Sequence, residues 1–485
     1  MNRRARLAPR SSLRNFAAPL SLTFLLFAAA ALAAPSPAKP NLVIIMVDDM
    51  GHAGVSCFGN PYFQTPHIDR LAAEGVRLTD FHSSGAVCSP TRAGLMTGRY
   101  QQRAGIEAVI HPVNTHAEHR KGLQKSEVTF AEQLKTVGYA TGIIGKWHLG
   151  YPQNSPDYHP QNHGFDEFIG YHSGNIDFVS HVGDHMKHDW WHGRVNTPEE
   201  GYATDLINRY AVEFIDRHHD HPFCLYVPHL AIHNPVQVRG DPVQRTEQER
   251  KLRMPANDQE RIEKFRGMLL PVDEGVGQIL QALQRHGIDQ NTLILFFADN
   301  GPTAEAPSGN PKWRGNKSSV YEGGHKVPFI ARWPGRIRPG AESAVPAITL
   351  DVMPTLLALA GAKPAAERPL DGVDLAPVLL SGKSLRDRPL FWANLNNDGV
   401  RSEAMREGPW KLVVQHPGAA QGTFENPKLE LFQLAEDPSE KTNLAASQPA
   451  RAAEMHRRVQ AWHAETSASA PPQPGGWIPS LPRVR

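Results

Sequence analysis

The sequence predicts an α/β fold: a large mixed, mostly parallel sheet covered by helices on both faces, followed by a smaller C-terminal α+β domain. Three observations carry this. Four runs of strand length, Asn41–Val47, Tyr139–Gly145, Phe223–Pro228 and Thr292–Ala298, lack the alternation of a half-exposed strand and read as strands of a doubly covered parallel sheet. Segments with helical patterning, Thr65–Gly75, Val128–Val137, Tyr202–Arg217 and Ile262–Gln284, alternate with them. From Ala341 the character changes, and Phe391-Trp392, Trp410–Val414 and Leu429–Phe432 read as short strands before a helix over Pro449–Thr466.

A chain of 485 residues is too long for one compact core, and its 40% apolar and 21% charged content is ordinary for a soluble globular enzyme. Residues 1–34 read as a signal peptide. Arg3, Arg4, Arg6, Arg10 and Arg14 form a basic start, Phe16–Ala34 is apolar, and Ala31-Leu32-Ala33 offers the small-x-small pattern for cleavage. The run approaches membrane-spanning length, but its alanine content and the Pro35-Ser36-Pro37 that follows favour cleavage over anchoring. The protein is therefore expected to be exported, periplasmic or secreted, with a large domain over 35–385 and a smaller one over 386–485. The formal charge is +2, and removing the five arginines leaves 46 basic against 49 acidic residues, a net −3 that gives no reason to expect nucleic acid as a partner. Three cysteines, Cys57, Cys88 and Cys224, are too few for a disulfide framework.

The first run ends abruptly in Asp48-Asp49, at the strand edge where ligands bind in such sheets. Two adjacent carboxylates there repel unless a cation sits between them, and a helix cap would need only one. In the helix that follows, His67 and Asp69 read as surface or capping groups. Next comes Cys88-Ser89-Pro90-Thr91-Arg92, with Cys88 near a helix N-terminus, where backbone N–H groups favour negative charge. A thiol there is a reactive nucleophile, an anion-site residue or a buried cysteine at a turn, and spacing alone leaves these open.

The second run delivers Lys146-Trp147-His148, a cation and an imidazole that would share one side of an extended segment. Residues 150–200, rich in His, Asn, Gly and Pro, read as a long loop over a site, and their histidines lack ligand spacing for a second metal. The third run leads to His229 and His233, and Asp241–Asp258 reads as a solvated excursion. The fourth ends in Asp299-Asn300, so two strand ends offer four oxygen ligands without sulfur or imidazole, a set that selects Ca²⁺ or Mg²⁺ over zinc. Arg314 and Lys317 sit on a glycine-flanked loop before a strand over Val327–Trp333. Ile348–Gly361 reads as helix, Pro369–Leu380 as loop and turn, Ser381–Pro389 as a boundary, and the tail from Ala468 as irregular. A crevice with a hard cation, fixed cations, histidines and a nucleophile suits a tetrahedral oxyanion ester, sulfate or phosphate.

Cys88-x-Pro90-x-Arg92, followed by Ala93-x-x-x-Thr97-Gly98-Arg99, resembles the signature of the type I, formylglycine-dependent sulfatases, of the arylsulfatase and N-acetylgalactosamine-6-sulfatase kind. Asp48-Asp49, Gly145-Lys146-Trp147-His148, His233, Asp299-Asn300-Gly301 and Arg314-Gly315-x-Lys317 through Glu322-Gly323-Gly324 are similar to that family's motifs in the same chain order. The likeness covers 40–335 and continues more weakly through Asp351–Thr355 and Leu429–Phe432 to Asn443-Leu444. It implies an alkaline-phosphatase-like core and one Ca²⁺ held by Asp48, Asp49, Asp299, Asn300 and a Cys88 oxidised to formylglycine. It also implies that the hydrated aldehyde attacks sulfur, that Arg92, Lys146 and Lys317 neutralise sulfate oxygens, that His233 protonates the leaving alcohol, and that His148 deprotonates the second hydroxyl as sulfate departs. A gem-diol suits this because its sulfate ester collapses by C–O cleavage, so no water need attack a crowded sulfur.

The chain departs from the family at Ala53-Gly54, where an acid frequently follows the Asp-Asp turn, and the segment near His172-Ser173 corresponds to a pocket position. With Cys88 consumed, Cys57 and Cys224 are the remaining pair that could bridge. The implied partners are a formylglycine-generating enzyme during maturation and a sulfated small molecule or glycan as substrate. A phosphonate or phosphate monoester hydrolase of the same superfamily and a non-catalytic, calcium-stabilised glycan-binding protein are the other readings. The filled catalytic positions disfavour the non-catalytic reading, and rates on aryl sulfate against aryl phosphate separate the other two.

Overall fold

The computed structural model describes residues 39–111, 121–307, 312–395, 401–417 and 426–472, so the expected signal peptide and most of the proline-rich tail lie outside the described residues. In chain order the strands of the first half are β1 (Asn41–Val47), β2 (Val76–Leu78), β3 (Phe81–His82), β4 (Ala140–Lys146), β5 (Glu167–Tyr171), β6 (Trp191–His192), β7 (Val195–Asn196) and β8 (Phe223–Pro228). Then follow β9 (Thr292–Ala298), β10 (Phe329–Arg332), β11 (Ala341–Ser343), β12 (Ala347–Ile348), β13 (Leu390–Leu395), β14 (Arg401–Glu407), β15 (Trp410–His416) and β16 (Lys428–Gln433). The helices are α1 (Pro66–Ala73), α2 (Cys88–Thr97), α3 (Phe130–Lys135), α4 (Ala203–His218), α5 (Asp258–Arg285), α6 (Glu322–His325), α7 (Val352–Ala360), α8 (Ala376–Ser381) and α9 (Pro449–Ala468).

Ten strands form the main sheet in the order β11-β2-β10-β9-β1-β8-β4-β5-β6-β7. β1 lies between β9 and β8, parallel to both, and all seven of its residues are buried, which requires cover on both faces. One helix group, α1, α4 and α5, packs together, and α2, α3 and α7 pack together as another. β10 pairs antiparallel with β9, so the sheet is mixed as the sequence predicts. Register sets the site. Val47 of β1 stands opposite Ala298 of β9, so the Asp48 and Asp299 that follow are neighbours, and Met46 opposite Pro228 brings the end of β8 alongside. β4 borders β8 and ends in Lys146.

The C-terminal sheet, β13-β14-β15-β16, is antiparallel and carries α9. Its apolar cluster joins Trp392, Leu412, Val414, Phe432, Val459 and Trp462 to Tyr100, Val320 and Ile348 of the large sheet's connections. No helix among the described residues is long and apolar enough to cross a membrane.

The structure corrects three expectations and adds strands that the sequence reading did not name. Residues 150–200 are not a bare loop, because β5 adds a parallel strand to β4. It does so where Gly170 and Gly145 meet so closely that a Cβ on Gly170 would lie 2.0 Å from the Gly145 oxygen. Part of the segment read as loop and turn over Pro369–Leu380 is helical, as α8. β14 (RSEAMRE) has no strand-like apolar run, since Glu403 is buried as an ion-pair partner of His416 and His463. Finally, His148 has φ 54, so the extended geometry assumed for Lys146-Trp147-His148 ends before the histidine. No disulfide joins Cys57 and Cys224, and all three cysteines are free.

Candidate active site

The strand ends deliver their polar residues to one buried place. Asp48 and Asp299 both face Arg92: Nη2 donates to Asp48 Oδ2 at 3.3 Å and to Asp299 Oδ2 at 2.8 Å, and Nε adds 3.2 Å to the same Asp299 oxygen. Lys146 Nζ donates to Asp48 Oδ2, and Arg92 Nη1 donates to the Lys146 carbonyl at 3.1 Å. Asp49 takes a left-handed backbone, φ 58, which Asp tolerates, and its N–H donates to Asp299 Oδ1 at 3.2 Å. Its carboxylate accepts from Asn300 Nδ2 at 2.7 Å and from Lys317 Nζ at 2.7 Å. His233 Nε2 lies 3.5 Å from Asp49 Oδ2, while Nδ1 donates to the Asn234 carbonyl at 2.8 Å.

Cys88 is the first residue of α2, after an extended Val87 that offers no side-chain cap. The thiol is sealed from solvent at the positive end of that helix, within electrostatic reach of Lys146, Lys317, Asp48 and Asp299. Burial pushes the thiol's pKa up, with the two carboxylates adding to the effect and the lysines opposing it, so the unmodified cysteine is held as a thiol. Gly98, at φ 64, ends the helix.

Charges are arranged against burial. Burial and the neighbouring Asp48 charge push the Asp299 carboxyl up to about 6. Burial would raise Asp48 too, but Lys146, His233, Arg92 and Lys317 hold it below the usual carboxylate range. Burial and then Lys317 lower His233, against the pull of Asp49 and Asp48. Lys317 is raised, because Asp49, Cys88 and Asp48 outweigh its own desolvation.

His148 completes the set. The Ile110 carbonyl, 2.8 Å from Nε2, can only accept, so Nε2 carries the hydrogen and Nδ1 keeps its lone pair. Burial, then Lys146, hold this ring well below the usual histidine pKa, and so neutral. Nothing local in the sequence pointed to Ile110 as its orienter. Ser173, in the segment expected to supply a pocket position, donates its N–H to Asp189 Oδ2 at 2.8 Å.

Two oxygens of the ligand set predicted from sequence, Asp48 Oδ1 and Asn300 Oδ1, are buried and accept no hydrogen bond. Unpartnered buried oxygens are costly unless a cation or donor meets them, and oxygen-only donors fit a hard ion. Three carboxylates here face three side-chain cations, Arg92, Lys146 and Lys317, so a divalent ion would give the site a net positive field toward an anionic ester.

A family model described as Sulfatase matches residues 40–362, and one described as N-sulphoglucosamine sulphohydrolase, C-terminal, matches 312–465. The chain belongs to the sulfatase family. This sulfatase is 35% identical over 395 residues to N-acetylgalactosamine-6-sulfatase of Mus musculus, spanning 76% of this chain and 72% of that one. It is 33% identical over 473 residues to arylsulfatase A of Homo sapiens, spanning 88% and 87%. Among solved structures it resembles Ps i-CgsB in complex with k-i-k-neocarrahexaose, with TM-score 0.77 and 28% identity over 91% of this chain and 95% of that one. The chain is therefore a sulfuric ester hydrolase of the alkaline-phosphatase-like fold.

Proposed function

We propose that this enzyme is exported and hydrolyses sulfate esters of carbohydrates, using a formylglycine made from Cys88 and a calcium ion held by Asp48, Asp49, Asp299, Asn300 and the modified residue 88. The observation that carries the reading is the pair of unpartnered buried oxygens, Asp48 Oδ1 and Asn300 Oδ1, in a cluster where Arg92, Lys146 and Lys317 converge beside Cys88. When bound, calcium supplies fixed positive charge where the sulfate oxygens gain negative charge. The hydrated aldehyde supplies an oxygen nucleophile that can leave by C–O cleavage.

The chain's own residues do the rest. Arg92 is locked between Asp48 and Asp299 and holds the metal carboxylates in place while presenting charge toward residue 88. Lys146, beside Asp48, and Lys317, beside Asp49, neutralise the ester's oxygens. His233 carries its fixed hydrogen on Nδ1, so a second proton on Nε2, which faces Asp49, is the one it gives to the leaving alcohol. His148, neutral with a free Nδ1 lone pair, takes the proton of the second hydroxyl as sulfate is expelled. Because Cys88 is buried, the modifying enzyme must act before the chain folds, which fits oxidation during export.

A carbohydrate substrate is supported by the name N-acetylgalactosamine-6-sulfatase on one relative and by the oligosaccharide seated in Ps i-CgsB. Rates on 4-nitrophenyl sulfate, 4-nitrophenyl phosphate and a panel of sulfated sugars test the reading. Sulfate esters should be turned over faster than the phosphate, with sulfated sugars among the substrates. A preference for the phosphate would overturn it.

A further inference from the structure

Lys317 stands on the loop that precedes α6, and two-sided contacts hold that loop. On the large-sheet side, the Lys317 N–H donates to the Pro302 carbonyl and the Ser318 N–H to the Ala86 carbonyl, both at 2.8 Å. Ser318 has φ 72, a conformation that side-chain-bearing residues adopt only when their surroundings impose it. On the other side stands the C-terminal sheet. Asn394 Nδ2, from β13, donates to the Ser318 carbonyl at 2.8 Å. Glu440, fully buried just beyond β16, grips both flanks of the loop: its carbonyl accepts from Arg314 Nη1 at 3.0 Å and its Oε2 from the Glu322 N–H at 2.7 Å.

A buried ion triad reinforces this grip. Lys411 Nζ, from β15, lies 2.9 Å from Glu322 Oε1 and 3.0 Å from Glu440 Oε1, so one ammonium serves two carboxylates that would otherwise repel. His82, Glu322 and His325 are close enough to share a metal, but Lys411, Lys326 and Arg406 already attend Glu322, which makes this an ion network rather than a metal centre.

We propose that Asn394 of β13 and Glu440, in the turn beyond β16, are positioning residues for Lys317, fixing the loop on either side of it so that its ammonium is delivered to Asp49 and to the sulfate oxygens. A lysine is a point charge on a flexible stem, so its placement depends on how firmly its backbone is held. This inference rests on the sulfatase reading above and gives the C-terminal sheet a part in the reaction without a side chain at the sulfur.

A double-mutant cycle separates positioning from general stability. We would measure kcat/KM on 4-nitrophenyl sulfate for wild type, Asn394→Ala, Glu440→Gln, Lys317→Ala and each double variant, with thermal midpoints alongside. Each single clamp variant should lose about tenfold in kcat/KM, chiefly through KM, and that loss should shrink below about twofold when Lys317 is already alanine. Asn394→Ala, which leaves the buried triad intact, carries the test if Glu440→Gln folds poorly. Equal losses in both backgrounds, or no loss in either single variant, would overturn the inference. A wild type with formylglycine at position 88 but no sulfatase activity would overturn both it and the reading on which it rests, whereas an active wild type with an additive cycle overturns this inference alone.

Discussion

Arg92 donates twice to a single oxygen of Asp299, at 3.2 Å from Nε and 2.8 Å from Nη2, and both side chains are sealed from solvent. Asp299's other oxygen accepts the Asp49 N–H, so one carboxylate ties the helix that starts at Cys88 to the turn carrying the metal-ligand candidates. Asp299→Asn keeps the side chain's size but removes the charge and leaves one acceptor where the carboxylate had two. Activity should fall by about 10³-fold or more, with bound calcium lost and the fold retained. Metal analysis and near-UV circular dichroism check this, and full activity in wild type shown by metal analysis to be calcium-free after chelation would refute the metal's role.

His233 faces Asp49 and carries its fixed hydrogen on the far nitrogen. As the proposed acid for the leaving group, it matters most when that group is a poor one. His233→Ala should cost roughly 10²–10⁴-fold on a sugar sulfate and far less on 4-nitrophenyl sulfate, whose phenolate departs without a proton. Equal losses on the two substrates would assign the residue to sulfate binding.

His463 of α9 lies 3.0 Å from Glu403 and 3.3 Å from Glu107. Burial would lower its pKa, but hydrogen bonds to Glu107 and Glu403 push it up to about 9, against the opposing charge of Arg401. A folded pKa above the ordinary value means that its contribution is fully present below about pH 6.5 and lost as pH rises through 9. Urea unfolding should show about 1–3 kcal/mol less stability at pH 10 than at pH 6.5 from this group, and His463→Gln should flatten the difference. An unchanged slope in the variant would remove His463 as its source.

The parts of this protein that were legible in the sequence are those whose signal is local. β1, β8 and β9 could be read because buried runs break off into Asp48-Asp49, into the turn before His233, and into Asp299-Asn300. Residues that act through tertiary contact left no such mark. β14 is charged because Glu403 finds its partners on β15 and α9, and β5 (EFIGY) is five residues between turns that each hold one glycine, Gly164 and Gly174. The clamp on Lys317 comes from Glu440, more than a hundred positions away, and no spacing rule connects the two. His148 shows a further limit. Its proximity to the site followed from the strand end, but its orientation is set by a left-handed backbone and by the Ile110 carbonyl.

In the proposed mechanism Cys88 is not a thiol in the active enzyme. As a thiol it is buried with a raised pKa, a poor nucleophile, and a thiolate attacking sulfur would leave a thiosulfate ester with no internal route of collapse. The most direct test is mass spectrometry of the peptide ending at Arg92, taken from preparations made in hosts that differ in their oxidising capacity. An aldehyde should replace the thiol at position 88, and specific activity should rise in proportion to the modified fraction. A fully active preparation in which Cys88 is quantitatively alkylated as a free thiol after unfolding would contradict the mechanism.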